Sequence, residues 1–295
     1  ASFYALKASQ RLSKELLPKL VSTHHGTLAR KGLIRIYEEF YVRWILPRFD
    51  LTLCMSQSDY RSLIKRGLPA NRVRVHYNGV DRPIVSGIDR RSTQSMIRKT
   101  WSERYGLNLS ENSLIFGVIA RLSAEKRHDK IIEAIKLVLS SKISQETFLL
   151  CFGTGALDSK IKAQIEHLEL KKNVFLLGYS NTIGNEMAGF DIVLCLSDGE
   201  GIPINLIESG WAGTPVLSTN VGGIPDLITE DLADGFLVNV SDCPQKIAQK
   251  INNISSNRQL LNKVGMAFQK RVQEHFSERS WINQLKALYL GITQL

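Results

Sequence analysis

The chain has 295 residues, of which 43% are hydrophobic and 22% charged, a balance typical of soluble globular proteins. It contains no run of 18 apolar residues, which excludes a hydrophobic membrane-spanning helix within these residues. The net charge of +10 is uneven, because residues 1–110 carry 20 Lys and Arg against 8 Asp and Glu, whereas residues 111–295 carry 18 against 20.

The basic first half predicts an anionic partner. Nucleic acid is one candidate, and an anionic membrane surface, on which residues 7–20 can lie as a short amphipathic helix, is another. A solvated basic face is the plainer alternative. The four cysteines are scattered and form no CxxC pair, which favours buried free thiols in a reducing compartment and hence a cytoplasmic location.

The first half alternates helical and strand-like segments. Apolar periodicity predicts helices over residues 4–17, 33–49 and 58–68, and strands over 20–26 and 51–56. The segment 73–81 is predicted to be a strand that runs into an Asn-Gly turn. Residues 82–108 are polar and charged, with a helix over 97–107, and are assigned to a linker.

The second half has a regular alternation. Fully apolar strands are predicted at 113–122, 147–155, 173–179, 191–197, 215–220 and 235–239. Helices are predicted between them at 128–140, 157–170, 185–190, 203–213 and 224–228, then at about 244–254, with one or two more to the end. This order predicts an α/β fold with a parallel sheet covered on both faces.

Ligands of such sheets bind at the carboxyl ends of the strands, so the residues after each strand are candidates for a site. Arg121 and Lys126 follow the first strand and can clamp a diphosphate, or can be two solvated cations. Gly153 and Gly155 follow the second strand and either let a ligand approach the backbone closely or form a simple turn. Gly178 and Tyr179 come at the end of the third strand and can border a nucleobase, or the Tyr179 ring can pack in the core.

The stretch from Ser197 to Ile228 holds six glycines and two acids, Glu200 and Glu208, separated by seven residues. Pro203 favours the first turn of a helix whose N-terminus can bind phosphate. Two carboxylates beside a phosphate site suit the hydroxyls of a sugar and a ribose. The alternative is a solvated Glu200 and a Glu208 on the helix surface.

At this point the residues match a family. The segments EGIPINLIE, ARLSAEK, VHYNGVD, GTPVLSTNVGGIPDLI and FSERSWINQLKALY resemble those of retaining glycosyltransferases of the GT-B architecture, in glycosyltransferase family 4 (group 1). The resemblance covers nearly the whole chain. It implies two Rossmann-like domains with parallel sheets: a partial acceptor-side domain and linker at 1–108, a donor domain at 109–275, and a C-terminal helix at 276–295 that crosses back.

The resemblance also implies roles for the candidate residues. Glu200 would bind hydroxyls of the donor sugar, Glu208 the ribose hydroxyls, and Arg121 with Lys126 would neutralise the leaving diphosphate. The segment THHG is similar to the family's T-x-H-G and would place His25 opposite the donor sugar. The remaining positions would lie close to the donor or the cleft: Gly201, Ile202, Pro203, Ile204, Asn78 and Gly79.

The expected activity is therefore metal-independent, cofactor-free transfer of a sugar from a nucleotide diphosphate sugar, with retention. A lipid-linked acceptor in surface polysaccharide or glycolipid synthesis, and a cytoplasmic protein peripheral to the inner membrane face, fit the basic first half. A non-catalytic nucleotide- or partner-binding fragment is the alternative. A nucleic-acid binder that works through the basic first half is the third candidate, but we expect its interleaved aromatics Tyr37, Tyr41 and Trp44 to pack in the core as part of a helix.

Two features depart from the family. No strand with a glycine-rich loop precedes residue 20, so we expect the first domain to be incomplete by roughly 80–100 residues. Trp211 stands where the family usually has a small residue, and we expect it to pack locally.

Overall fold

The computed structural model describes residues 2–9, 11–12, 18–25, 33–80, 90–141, 146–229 and 236–293. Its strands form two parallel sheets, one in each half of the chain. The predicted helix over 4–17, the amphipathic segment 7–20 and the linker 82–108 lie partly outside the described residues.

The smaller sheet has three parallel strands in the order β1-β2-β3, which are Val21–His24, Leu51–Cys54 and Val73–Val75. Its helices are α1 (Ser2–Ser9), α2 (Leu33–Phe40) and α3 (Gln57–Lys65). The strand predicted to run into a turn at Asn78 and Gly79 ends at Val75, and beyond it the Val80 N–H donates to Phe276 O in the C-terminal region at 3.0 Å.

The helix predicted over 33–49 is a composite. After α2 the chain forms a π-helical turn, Tyr41–Ile45, and then a 3₁₀ turn, Leu46–Arg48. Pro47 has no N–H to donate, so a regular helix cannot continue through it. The inner face packs on the small core, where Val42 and Leu46 are buried.

The larger sheet has six parallel strands in the order β6-β5-β4-β7-β8-β9. In chain order, β4 to β9 are Leu114–Ile119, Thr147–Phe152, Val174–Gly178, Ile192–Cys195, Val216–Thr219 and Leu237–Val238. The chain winds outward from β4 in both directions, so a crevice opens between the carboxyl ends of β4 and β7.

Helices cover both faces of this sheet. They are α4 (Arg90–Tyr105), α5 (His128–Leu139), α6 (Asp158–His167), α7 (Ile204–Trp211), α8 (Ile224–Leu227), α9 (Pro244–Ser255), α10 (Arg258–His275) and α11 (Glu278–Thr293). Short 3₁₀ turns occupy Ala124–Lys126 and Ile183–Gly189. Within the described ranges, each helix is too short or too polar to cross a membrane.

Helix α4 packs on the larger sheet, although the sequence analysis placed residues 82–108 in a linker. Trp101 is fully buried, with its ring 4.7 Å from that of Phe190 and 6.1 Å from that of Phe152. The buried Arg98 guanidinium lies 2.7 Å from the carboxylate of Asp191. The packing of α4 on the core could not be seen in its polar composition, because only a few of its residues make the contacts.

Helix α11 and the side chain of Trp211 both join the halves of the chain. Helix α11 returns to the smaller sheet, where Leu285 and Leu288 pack against Leu51 and Leu53 of β2. The ring of Trp211 is buried in the larger core, but its Nε1–H donates to Val80 O, 131 residues earlier, at 3.1 Å. The expectation of purely local packing for Trp211 is therefore wrong. The three-part division at residues 108 and 275 stays a prediction.

Candidate active site

The crevice between β4 and β7 is flanked by a largely buried ion pair. Lys126 ends the 3₁₀ turn after β4, and Glu200 lies in the loop after β7. The Lys126 Nζ atom is 2.5 Å from Glu200 Oε1, and these side chains are only 19% and 10% exposed. The structure thus brings together a cation and an acid that the sequence analysis assigned to different parts of one ligand.

Arg121 is not part of this pair. Its side chain is 76% exposed, and its guanidinium lies 3.2 Å from Glu125 Oε1 on the surface. Hydrogen bonding from the Ser123 hydroxyl is the largest cause that lowers the pKa of Glu125. Arg121 thus follows β4 directly in sequence, but its side chain is solvated, as in the alternative that Arg121 and Lys126 are two solvated cations.

A second glycine turn, at Gly222 and Gly223, packs against the Glu200 loop. Gly222 has a φ of +55°, and a Cβ built there would overlap the carbonyl oxygen of Glu200 and lie 2.8 Å from its carbonyl carbon. The next residue, Gly223, donates its N–H to Gly201 O at 3.0 Å. The Cys195 thiol donates to Glu200 Oε1 at 3.7 Å. These contacts fix the loop that presents Glu200, and the sequence analysis did not assign Gly222 to the site.

Helix α7 points its N-terminus into the crevice. Pro203 is its N-cap residue, in an extended conformation, and Ile204, half exposed, begins the helix. The Asn205 amide donates to Ile119 O at 2.7 Å and ties α7 to the end of β4. The side chain of Ile202 is buried in the core, so only its backbone faces the crevice. Asn205 was missed because a lone amide in a helix carries no distinctive pattern.

Glu208 lies one turn further along α7 and is half-buried. Burial raises the pKa of its carboxyl above the ordinary value. Within the described part of the chain, this carboxylate has neither a hydrogen bond nor an ion pair. Gly184, in the 3₁₀ turn after β6, leaves the space that the carboxylate occupies, because a Cβ built there would stand 2.8 Å from Glu208 Oε1. An available acceptor group beside a helix N-terminus suits the hydroxyls of a ribose.

We expect Gly184→Ala to weaken nucleotide-sugar binding by about tenfold, because the added methyl group displaces the Glu208 carboxylate and costs it a charge-assisted hydrogen bond. The obstructed atoms are the far end of a flexible side chain, so the melting temperature should change little. Titration calorimetry measures the affinity. Gly291→Ala, where a Cβ would meet nothing within 4 Å, is the control. Unchanged affinity in Gly184→Ala would refute the role of this glycine.

The glycines after β5 lie against the backbone of the β4 loop. Gly153 has a φ of +141°, and its Cβ would overlap Ala120 O and lie 2.8 Å from the Ala120 carbonyl carbon. At Gly155 the Cβ would overlap Leu122 O. The backbone of the β4 loop thus fills the space where their side chains would stand, and their contact with a donor stays a prediction.

The residues after β6 differ again. Gly178 has a φ of +74°, which favours glycine, and a Cβ there would meet open space. Tyr179 is 78% exposed, which excludes the alternative that its ring packs in the core. Its assignment to a nucleobase stays a prediction.

The first half contributes fewer of the predicted residues. His25 is exposed just after β1, while burial lowers the pKa of its neighbour His24. Asn78 is half-buried. Gly79 packs against the start of α11, because its Cβ would lie 2.5 Å from Trp281 Cβ and 2.8 Å from Ser277 O. Its position near the cleft stays a prediction.

A contact between the halves borders the same crevice. The N–H of Gln57, at the start of α3, donates to Asp226 Oδ2 in α8 at 2.6 Å.

Among the described residues, no three His, Cys, Asp or Glu side chains lie close enough together to hold a metal ion. The expectation of a metal-free, cofactor-free site stays a prediction.

Two family models and several known proteins match this chain. The family model of glycosyl transferases group 1 matches residues 99–271, and that of glycosyltransferase family 4 matches residues 1–82. The chain is similar to an Escherichia coli protein, UDP-Gal:alpha-D-GlcNAc-diphosphoundecaprenol alpha-1,3-galactosyltransferase, with 24% identity over 94% of this chain and 70% of that one.

A second relative is the poly(ribitol-phosphate) alpha-N-acetylglucosaminyltransferase of Staphylococcus aureus (strain COL), 25% identical over 90% of this chain and 52% of its own length. Among solved structures, Anabaena Alr3699/HepE in complex with UDP and glucose aligns with a TM-score of 0.73 and 22% identity, over 92% of this chain and 71% of that one. This likeness shows the fold, and the predicted GT-B architecture with parallel sheets is confirmed.

Proposed function

Because the chain belongs to the glycosyl transferases group 1 family, we propose that it transfers a hexose from a nucleotide diphosphate sugar to an acceptor with retention of anomeric configuration. The single observation that supports this most strongly is the pair of Lys126 and Glu200 beside the N-terminus of α7, with Glu208 further along that helix. Cationic, hydroxyl-binding and ribose-binding groups then line one crevice.

The chemistry follows from the charge that develops in the reaction. The bond between the anomeric carbon and the diphosphate oxygen breaks, and its electron pair goes to the diphosphate. The ammonium of Lys126 and the free N–H groups of α7 lie where that charge grows and stabilise it. The acceptor hydroxyl bonds to the anomeric carbon on the face that the diphosphate leaves, and its proton goes to the leaving diphosphate oxygen.

Glu200 has two partners in this account. Its carboxylate accepts from Lys126 and can accept from the sugar hydroxyls, so it links the position of the cation to that of the sugar. Arg121 requires a change of side-chain rotamer to reach the diphosphate, which its exposure permits. His25 would face the sugar from the first half of the chain.

The relatives suggest the acceptor. One acts on a sugar linked through a diphosphate to undecaprenol, and another on poly(ribitol phosphate), as their names state. Both acceptors belong to the synthesis of cell-surface polymers or glycolipids. A similar lipid-linked or polymeric acceptor, and a cytoplasmic location at the inner face of the membrane, fit the basic first half of this chain.

The experiment that tests the proposal is a transfer assay. UDP-, GDP- and ADP-sugars are each incubated with a lipid-diphosphate-linked sugar, and the product is examined by NMR. We expect one donor class to give a product with the anomeric configuration of the donor. An inverted product would contradict the mechanism. Binding of a nucleotide diphosphate without transfer or hydrolysis in the same sample would support the non-catalytic alternative instead.

A further inference from the structure

Helix α2 and the π turn after it carry an apolar stripe on the outside of the protein. Its members recur at helical spacing, and each is more than half exposed: Leu33, Ile36, Tyr37, Phe40 and Trp44. The opposite side of the same segment is already buried against the small core, through Val42, Ile45 and Leu46. A surface helix usually has one apolar face, so the second one requires its own explanation.

A groove beside this stripe carries positive charge. It lies between the stripe and α3, has a volume of about 860 Å³, and is lined by Ile36, Glu39, Phe40, Arg43, Trp44, Ser62, Lys65 and Arg66. Three of these side chains are cations and one is an acid.

The charges of the groove are only partly neutralised. Arg66 lies 3.4 Å from Glu38 and 3.5 Å from Glu39, so the acids are occupied by one cation. Within the residues that the structure describes, Arg43 and Lys65 have no acidic partner. Two unneutralised cations therefore border the exposed Phe40 and Trp44.

We propose that the stripe and its groove form a docking surface for an anionic lipid bilayer. Aromatic and aliphatic side chains on one side of a helix enter the boundary between headgroups and acyl chains, and neighbouring Lys and Arg bind the anionic headgroups. Tyr and Trp are the aromatic residues that favour this boundary. The surface rests on the proposed function in one respect, since it brings the site to a membrane-bound acceptor.

The position of the surface fits that use. His25 is at the carboxyl end of β1, the end of the sheet where ligands bind, and Leu33 begins α2 eight residues later. In sequence, the stripe therefore begins shortly after the edge at which we expect an acceptor to approach. An acceptor held by its lipid would reach the crevice without leaving the membrane.

Sedimentation with vesicles tests the surface. Wild-type protein should bind vesicles of phosphatidylglycerol and phosphatidylcholine in equal parts, and bind pure phosphatidylcholine weakly. The double variant Phe40→Ser/Trp44→Ser should lose binding by at least about tenfold, because two large side chains no longer enter the bilayer. Met266→Ser/Tyr289→Ser, which changes two exposed apolar residues of α10 and α11, is the matched control and should bind normally.

The charge component has its own variant. Arg43→Gln/Lys65→Gln should reduce binding to the anionic vesicles and leave binding to phosphatidylcholine unchanged, whereas Lys99→Gln/Lys172→Gln should do neither. Equal losses on both vesicle types would contradict the assignment of these cations to anionic headgroups.

Other occupants of the stripe give different results. If a second copy covers it, light scattering will show a dimer that Phe40→Ser/Trp44→Ser converts to a monomer. If another part of the protein covers it, the same variant will lower the melting temperature well below that of the control. Either result, or unchanged vesicle binding, overturns the proposal.

Transfer to a short, water-soluble acceptor separates this proposal from the proposed function. The Phe40→Ser/Trp44→Ser variant should transfer sugar to that acceptor at the wild-type rate. Loss of vesicle binding without loss of transfer supports the docking surface. A protein that binds vesicles through the stripe yet transfers no sugar would reject the activity and retain the surface.

Discussion

Replacement of Lys126 by methionine is expected to lower the turnover of sugar transfer by about 10²–10³-fold, which is the usual effect of removing one group that stabilises developing negative charge. Methionine keeps the apolar stem of lysine, so most of the packing beside Glu200 is preserved. The Glu200 carboxylate, only 10% exposed, loses its cation, so the melting temperature should fall and the kinetics are measured well below it. Steady-state kinetics with a nucleotide sugar and an acceptor measure the effect, and the loss should be larger in kcat than in KM.

Lys172→Met is the matched control for this variant. Lys172 is exposed and precedes β6, so it lies at the amino ends of the strands, opposite the crevice. It should retain wild-type turnover. If Lys126→Met also turns over at the wild-type rate, the ion pair with Glu200 has only a structural role, and the account of leaving-group stabilisation is wrong.

The Gly222→Ala variant is expected to lose both stability and donor binding. A methyl group there overlaps the Glu200 carbonyl, which is backbone and cannot rotate away, and alanine is strained at a φ of +55°. Overpacking and strain together should destabilise the fold by about 2–4 kcal/mol. That would lower the melting temperature by about 3–6 °C at this chain length. Displacement of the Glu200 loop would also separate Glu200 from Lys126.

Gly199→Ala is the control from the same loop. A Cβ at Gly199 would meet nothing within 4 Å, and its φ is not positive. Its melting temperature, measured by calorimetry or circular dichroism, should stay within about 2 °C of the wild type, as for a surface change outside any special feature. If Gly222→Ala melts as Gly199→Ala does, the second glycine turn does not hold the Glu200 loop.

The larger sheet could be predicted from the sequence because its signals are local. Most strands there are apolar along nearly their whole length, and helices of 8 to 12 residues separate three of the five successive pairs of strands. The positions of Lys126, Glu200 and Glu208 at the carboxyl edge follow directly from that alternation. Family segments at those positions then suggest the chemistry.

Features that depend on tertiary contacts could not be predicted in the same way. Helix α4 reads as a polar linker, yet one buried Trp101 and one Arg98–Asp191 pair attach it to the larger core. Gly153 and Gly155 look like ligand-facing glycines, but another backbone segment packs on them. The partners of these residues are distant in sequence, so no local pattern marks them.

The contacts between residues of the site could not be predicted from the sequence either. Lys126 and Glu200 are 74 residues apart, and nothing in their spacing indicates an ion pair. Gly184 supports Glu208 only because the turn after β6 passes beside α7. Contacts of this kind depend on elements that are distant in sequence, so they can be identified only once the fold is known.

The central claim is that the crevice between β4 and β7 binds a nucleotide sugar through Glu208. Titration calorimetry of UDP-, GDP- and ADP-sugars against the wild type and Glu208→Ala tests it most directly. We expect one donor class to bind the wild type, and the variant to bind it at least about tenfold more weakly, since a hydrogen bond to a charged group is lost. Equal affinity of the two proteins for that donor, or the absence of binding by every donor to the wild type, would contradict the claim.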